Sequence, residues 1–357
     1  MNILLVKLSS LGDVVQTLPV LHDVHARFPD ARIDWVVEEA FADLVRRAQG
    51  VNRVLPVAER RWRKSRWAAP TRSEIRAHRA ALREVAYDAV IDCQGLVKSA
   101  WFARQARLAP GGFSATFGNA SELCGWEWPV KLMLQRPIPM PARIHAVART
   151  RLLAARALGY ESSGIHEQAP VYPWRAAPAA EPPQVMLAHG TTRPDNEWPR
   201  AAWTELGRRL AKEGFELLLP QASDAERALG DAIAAEVGDA ARVLPRMNLA
   251  RLLDVMAGCA GLVGVDSGLS HMGIALDLPL VQVFSQPRVW RAGPVGRPHQ
   301  RAVGGDAAPD VDAVWQAWQA CWRERAARST QAVTSEPAEM ASAGHPREGG
   351  DPDLEAP

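Results

Sequence analysis

The sequence predicts an α/β protein made of two doubly wound parallel sheets that face a central cleft. Three observations carry this prediction. Short apolar strand patterns alternate with helical ones in both halves, a proline-rich interval separates the halves, and 357 residues exceed what one hydrophobic core usually spans.

In the first half, residues 2–8 read as a short buried strand and residues 9–12 as a turn. Residues 13–28 read as one helix, with Val14, Leu18, Leu21 and Val24 on its apolar face. Residues 33–37 and 89–92 follow as strands, and a helical stretch begins at Val97. Pro170, Pro173, Pro178, Pro182 and Pro183 then fall within fourteen residues, too many for a helix or a central strand, so residues 170–183 are expected to link the domains. The second half restarts with a strand at 184–188, a helix at 201–213, a strand at 216–219 and a helix at 249–257. A strand at 262–265, a helix at 268–276 and a last strand at 280–284 complete the alternation. Residues 311–325 predict a final helix whose Trp315, Trp318 and Trp322 share one face, as core packing requires. The expected domains are therefore 1–169 and 184–326. Residues 327–357, rich in Ala, Ser, Pro and Glu without periodicity, are expected to form a disordered acidic tail.

The formal net charge is only +2, which argues against a generally nucleic-acid-binding protein. That total hides a strong local asymmetry. Residues 59–83 hold nine basic and two acidic residues, whereas residues 328–357 hold two basic and six acidic ones. Cys93, Cys124, Cys259 and Cys321 are widely spaced and form no CxxC pair, so neither a disulfide framework nor a zinc site is expected. The N-terminal run lacks a basic leader, and no apolar stretch approaches the roughly 20 residues that cross a bilayer.

The strongest candidate for chemistry is Val265-Asp266-Ser267-Gly268-Leu269-Ser270-His271, between a strand and a helix. A small glycine-containing turn at a helix start lets backbone N–H groups approach a phosphate, and Ser267, Ser270 and His271 add polar groups there. Taken alone, Asp266 or Ser267 is equally well an ordinary helix cap. The other loop of this kind is His189-Gly190-Thr191-Thr192-Arg193, with two hydroxyls and a guanidinium suited to an anion; together the two loops suggest a cradle for a nucleotide diphosphate. Neither matches GxxxxGK[ST], and no GxGxxG follows the first strand, which weighs against ATPase and dehydrogenase readings. Asp13 heads the first helix. The helix dipole is expected to hold it ionised, as a base for alcohol attack requires, although Asp in this position is also commonly structural. Arg60-Arg61-Trp62-Arg63-Lys64-Ser65-Arg66-Trp67 packs five cations into seven residues interleaved with two tryptophans, a pattern that fits a multiply anionic amphipathic ligand or a solvated loop.

These segments together resemble the bacterial lipopolysaccharide heptosyltransferases of glycosyltransferase family 9, the heptosyltransferase I branch in particular. The motifs that carry the resemblance are KLSSLGDVVQTLP at 7–19, DWVVEEAF at 34–41, RRWRK at 60–64, YDAVIDCQGLVKSA at 87–100, HGTTR at 189–193 and VDSGLSHMGIALDLP at 265–279. The resemblance implies the GT-B fold, two Rossmann-like domains, and inverting transfer of a heptose from ADP-heptose to the Kdo sugar of Kdo-lipid A, with no cofactor and no metal. It also implies peripheral contact with the cytoplasmic face of the inner membrane. Asp13 is similar to the general base. Thr191, Thr192, Ser267, Gly268 and His271 match the diphosphate-holding pattern, Asp266 the donor-sugar contact, Met247 the adenosine region and Glu226 the ribose carboxylate. Arg60, Arg61, Arg63 and Lys64 are similar to the acceptor's anion-binding set. The chain also departs from the pattern: Asn196 stands where a lysine is usual after the TTR triplet, so Arg193 becomes the expected replacement cation. Pro220-Gln221-Ala222 replaces Pro-Trp-Gly, and Ser285-Gln286-Pro287 replaces Gly-Pro-Thr after the last expected strand. The alternatives are heptosyltransferase II or another family member with a different acceptor, or an anion-binding homologue with impaired catalysis.

Overall fold

A computed structural model describes residues 1–165 and 168–334, with side chains to residue 325. The first sheet contains β1 (Asn2–Val6), β2 (Arg32–Glu38), β3 (Val51–Val57), β4 (Ala86–Asp92), β5 (Arg107–Phe117) and β6 (Arg136–Ile138) in the order β3-β2-β1-β4-β5-β6. The second contains β7 (Gln184–Ala188), β8 (Glu216–Leu219), β9 (Ala241–Val243), β10 (Gly261–Val265), β11 (Leu280–Phe284) and β12 (Gln300–Gly304) in the order β12-β11-β10-β7-β8-β9. The two orders are the same topology, and every pairing is parallel. The strand order reverses beside β1 and beside β7. In such sheets that is where a crevice opens beyond the carboxyl ends of the strands.

Side-chain alternation along the strands explains how both faces are covered. Ile3 and Leu5 join a core that also contains Met186, Ala188, Leu262 and Met272, so the inner faces of the two halves share one continuous apolar cluster. Leu4 and Val6 point the other way, into a cluster with Trp62, Leu82 and Phe102. Val185, Leu187, Val263 and Val265 face a third cluster, with Trp203 and Trp318. Trp318 and Trp322 stack there at 6.0 Å, each edge-on to Phe215. In the proline-rich interval, Tyr172 and Trp174 are buried in the shared core, and Ala177 and Ala180 donate backbone hydrogen bonds to Ala257 and Gly258.

Several elements depart from expectation. The single helix expected at 13–28 is two, Leu11–Thr17 and Pro19–Arg27, because Pro19 has no N–H to continue the first and starts the second instead. The strand at 280–284 is followed by β12, an edge strand. The helix beginning at Val311 continues to Thr334, past the expected start of the tail at Ala327. The rest of that tail, residues 335–357, lies outside the described residues. Among the described residues no helix is long and apolar enough to cross a membrane.

Candidate functional site

A cleft of about 540 Å³ opens where the loops after β7 and β10 meet the head of the Leu11–Thr17 helix. Two glycines allow the halves to approach this closely. A Cβ on Gly12 would lie 2.8 Å from His271 Cδ2, and one on Gly268 would lie 2.6 Å from Leu11 Cδ2. The heads of the Leu11–Thr17 and Gly268–Ala275 helices therefore cross almost in backbone contact. Of the predicted site residues, Asp13, Arg60, Thr191, Thr192, Arg193, Asn196, Glu226, Met247, Asp266, Ser267, Gly268 and His271 all line the cleft.

The Asp13 carboxylate lies on the cleft wall. Ser10 donates its backbone N–H and its hydroxyl to Oδ2 at 3.1 and 2.7 Å. Lys7 Nζ and Arg291 Nη2 lie 3.8 and 3.9 Å from Oδ1. Burial works to raise the pKa of this group, but Lys7, the Ser10 hydrogen bonds and Arg291 outweigh it and hold the carboxyl below its usual range. Asp13, in the first turn of a seven-residue helix, is therefore held ionised at neutral pH by Lys7, Ser10 and Arg291. Beyond it lies a smaller chamber of about 90 Å³, lined by Lys7, Ser9, Gln94, Arg149 and Arg291 among others. Arg149 stacks on Phe117 at 3.5 Å, and its Nε and Nη2 have no hydrogen-bond partner among the described residues.

Across the cleft, Ser267 caps the Gly268–Ala275 helix in an extended conformation, and its hydroxyl is buried without a partner among the described residues. Ser270 does not reach the cleft: it is fully buried and donates to the Val265 carbonyl at 2.6 Å, so the hydroxyl expected of it is spent on the strand end. Asp266 accepts from Gln282 Nε2 at 3.2 Å, and His271 Nε2 lies 3.7 Å from it. Burial tends to raise its pKa. The hydrogen bond and charge of His271, with Arg291 and Arg288, reverse this and lower it. Asn196, nearly fully buried, donates to the Asp266 backbone oxygen at 3.0 Å and thereby ties the loops after β7 and β10 together.

Arg193, the expected replacement cation, lines the cleft and is paired with a neighbouring carboxylate. It makes a bidentate pair with Asp195 at 3.2 and 3.1 Å, on the same carboxylate that Arg288 reaches at 2.8 Å. Arg288 also contacts Asn196 Oδ1 at 3.4 Å. Arg291, from the short helix Val289–Ala292, lines both chambers, and its Nε is buried without a hydrogen-bond partner among the described residues. Sequence reasoning missed Arg291; the signal was a pair of arginines three residues apart, directly after the Ser285-Gln286-Pro287 departure. Glu226 sits in the first turn of the Asp224–Val237 helix and accepts from the Ala222 N–H at 2.6 Å. A Cβ on Gly190 would lie 2.7 Å from the Glu226 carboxyl carbon, so the glycine lets this carboxylate reach the β7 loop. Met247, Leu244, Leu249 and Leu252 form an apolar wall beside it, suited to a planar base.

The first five residues of the cationic segment, Arg60 to Lys64, lie in the helix Glu59–Lys64, and Ser65, Arg66 and Trp67 follow as a turn. Glu38 accepts the N–H groups of Glu59 and Arg60 at 3.2 and 3.4 Å and so anchors the start of the helix. Only Arg60 of the four predicted acceptor residues lines the cleft. Arg61 is paired with Glu39 and Glu74 at 3.0 and 2.9 Å, and Arg63 and Lys64 are exposed away from both chambers. Trp62 is 7% exposed, donates to Glu74 at 2.6 Å and packs on His78 and Phe102, so it is a core residue and not an interfacial indole.

Residues 75–313 match the model of glycosyltransferase family 9 (heptosyltransferase). Lipopolysaccharide heptosyltransferase 1 of Pseudomonas aeruginosa is 41% identical over 309 residues, covering 86% of this chain and 84% of that protein. The E. coli heptosyltransferase WaaC with ADP superposes with a TM-score of 0.78 at 36% identity, over 88% of this chain and 98% of that one. The same enzyme with ADP-2-deoxy-2-fluoro heptose superposes with a TM-score of 0.74 over the same coverage.

Proposed function

The chain belongs to glycosyltransferase family 9, and from that premise we propose that it moves a heptose from ADP-heptose to the Kdo sugar of Kdo-lipid A, in lipopolysaccharide core synthesis. One observation carries the assignment of roles. An ionised carboxylate, Asp13, stands between a large cleft with apolar and anion-binding walls and a small cationic chamber. The donor occupies the cleft: Met247 and its neighbours take the adenine, Glu226 the ribose hydroxyls and Asp266 the heptose. Thr191, Thr192, Ser267, His271 and the N–H groups at the start of the Gly268–Ala275 helix take the diphosphate. The Ser267 hydroxyl supports this reading, because it has no hydrogen-bond partner among the described residues and would donate to a phosphate oxygen.

In the transfer, an acceptor hydroxyl attacks the anomeric carbon as the bond from that carbon to the phosphate oxygen breaks. The proton passes to Asp13, the electron pair leaves with ADP, and the anomeric configuration inverts. Negative charge grows on the departing diphosphate. With a neutral amide at 196 and Arg193 engaged by Asp195, Arg291 is the cation placed to meet it. Arg149 and Lys7 face the acceptor's carboxylate in the smaller chamber, and Arg60 meets an acceptor phosphate at the rim. The enzyme works in peripheral contact with the cytoplasmic face of the inner membrane, where such an acceptor is embedded. The test is product formation by the purified protein from ADP-heptose and Kdo-lipid A, read by mass. Transfer only to an acceptor that already carries heptose would replace this reading with a later step of core assembly.

A further inference from the structure

Among the described residues, seven large apolar side chains are exposed: Met1, Trp67, Val97, Trp101, Leu123, Trp128 and Leu132. Five of the seven come from two neighbouring segments, the helix Val97–Ala103 and the stretch 121–133 that ends in the helix Val130–Met133. The segments are fastened together. Glu127 accepts the Val97 N–H at 2.6 Å and donates its own N–H to the Gly95 carbonyl at 3.0 Å. Each helix also has an inward anchor. Phe102 and Val130 are buried in the core, while Trp101 beside the first and Leu132 beside the second point outward, Leu132 at 73% exposed. Trp128 is 59% exposed. Scattered exposed apolar residues are ordinary, but two indoles and two leucines held outward by buried neighbours form a patch.

Charge identifies what the patch fits. Lys98, Arg104 and Lys131 rise from the same two segments, with no carboxylate partner among the described residues. Arg79, Arg83 and Arg104 line a shallow groove around Trp101. Indoles and leucines ringed by unpaired cations match the boundary between acyl chains and anionic headgroups. The patch is also continuous with the site, for Cys124 and Gly125, next in the chain to Leu123, line the small chamber beside Asp13.

We propose that this face, and not the helix Glu59–Lys64, seats the protein on an anionic lipid bilayer. Trp101, Leu123, Trp128 and Leu132 enter the interface, and Lys98, Arg104 and Lys131 meet lipid phosphates. That the seated protein thereby receives its acceptor from the membrane rests on the heptosyltransferase reading; the seating itself does not.

The test is sedimentation of the full chain with phosphatidylcholine vesicles, with and without phosphatidylglycerol, together with turnover on a deacylated, water-soluble acceptor. Binding is expected only with the anionic lipid and weakens in high salt. Trp128→Ser with Leu132→Ser, or Lys98→Glu with Lys131→Glu, should weaken it about tenfold or more, Trp128→Phe should retain it, and Trp67→Ser should leave it unchanged. Unaltered turnover on the soluble acceptor shows that the variants are folded. Vesicle binding that is absent in the parent chain or unaffected by these changes overturns the proposal, as does a change of oligomeric state in the Trp128 and Leu132 variant, which would make the face a contact between copies. Absence of turnover on any acceptor would overturn the enzymatic reading alone, leaving the vesicle result to stand on its own.

Discussion

The donor loops and the cationic helix were equally conspicuous as motifs, yet the fold treats them oppositely. Every residue predicted for the donor except Ser270 lines one cleft, whereas one of four predicted acceptor cations does. The donor residues lie in loops at the carboxyl ends of adjacent parallel strands, where sheet geometry makes loops from distant parts of the chain converge. The cations flank Trp62 on one short helix, whose side chains turn about 100° per residue, so a buried Trp62 forces its neighbours onto different faces. Proximity in sequence identifies a ligand set only where the backbone does not distribute its side chains around an axis.

The sharpest test of the donor side is Asp13→Asn. It should lower kcat by about 10³-fold while leaving ADP binding, measured calorimetrically, nearly unchanged, and retained turnover would remove the base from the cleft. Arg291→Gln should lower kcat by about 10²-fold with a smaller effect on donor KM. Adding Asn196→Lys in that background should recover part of the loss; if it recovers none, the two positions do not share a function.

On the cationic side the expected effects are smaller and unequal. Arg60→Ala should raise acceptor KM about tenfold, against about twofold for Arg63→Ala or Lys64→Ala in the same steady-state assay. Equal effects at all three positions would erase the contrast between the two regions. Ser10→Ala removes a hydrogen bond that favours ionised Asp13, so the acid limb of the kcat/KM profile should move to higher pH.

The smallest expected effect concerns stability. Burial depresses the pKa of both His78 and His145 to about 4, from an ordinary 6.5. In its neutral form His145 Nε2 donates to the Gly293 carbonyl at 2.9 Å while Nδ1 accepts from Val147 at 3.2 Å, which joins the halves. The unfolded chain takes up protons that these buried rings refuse, so their contribution is intact above about pH 6.5 and falls as pH drops toward 4. Thermal melting across that window should show the decline, and His78→Phe should flatten it.

The central strands were legible because burial on both faces makes them continuous apolar runs, as in β1, β4, β7 and β10. The outer strands β3, β9 and β12 were not, because they are only partly covered and their sequences, such as Gln300-Arg-Ala-Val-Gly304, carry no such run. In the site, the glycine-bearing turns and the helix-leading Asp13 could be read directly, since each signals its local conformation. The Arg288–Arg291 pair marked a cationic turn, but nothing in Val289-Trp-Arg-Ala292 indicates that Arg291 reaches Asp13 from the other half of the chain.

The sequence by itself determined two alternating α/β halves, the glycine-bearing loops at 189–193 and 265–271 and a carboxylate at a helix head, because these depend on the local periods of strand and helix and on turn chemistry. Only the tertiary structure decided that Asp13 is ionised by Lys7, Ser10 and Arg291, that Asn196 serves as a tie between loops, and that Arg60 alone of its cluster reaches the cleft. Charge states and contacts of this kind depend on distances between groups far apart in the chain, and those distances exist only once the two sheets have packed across their shared core.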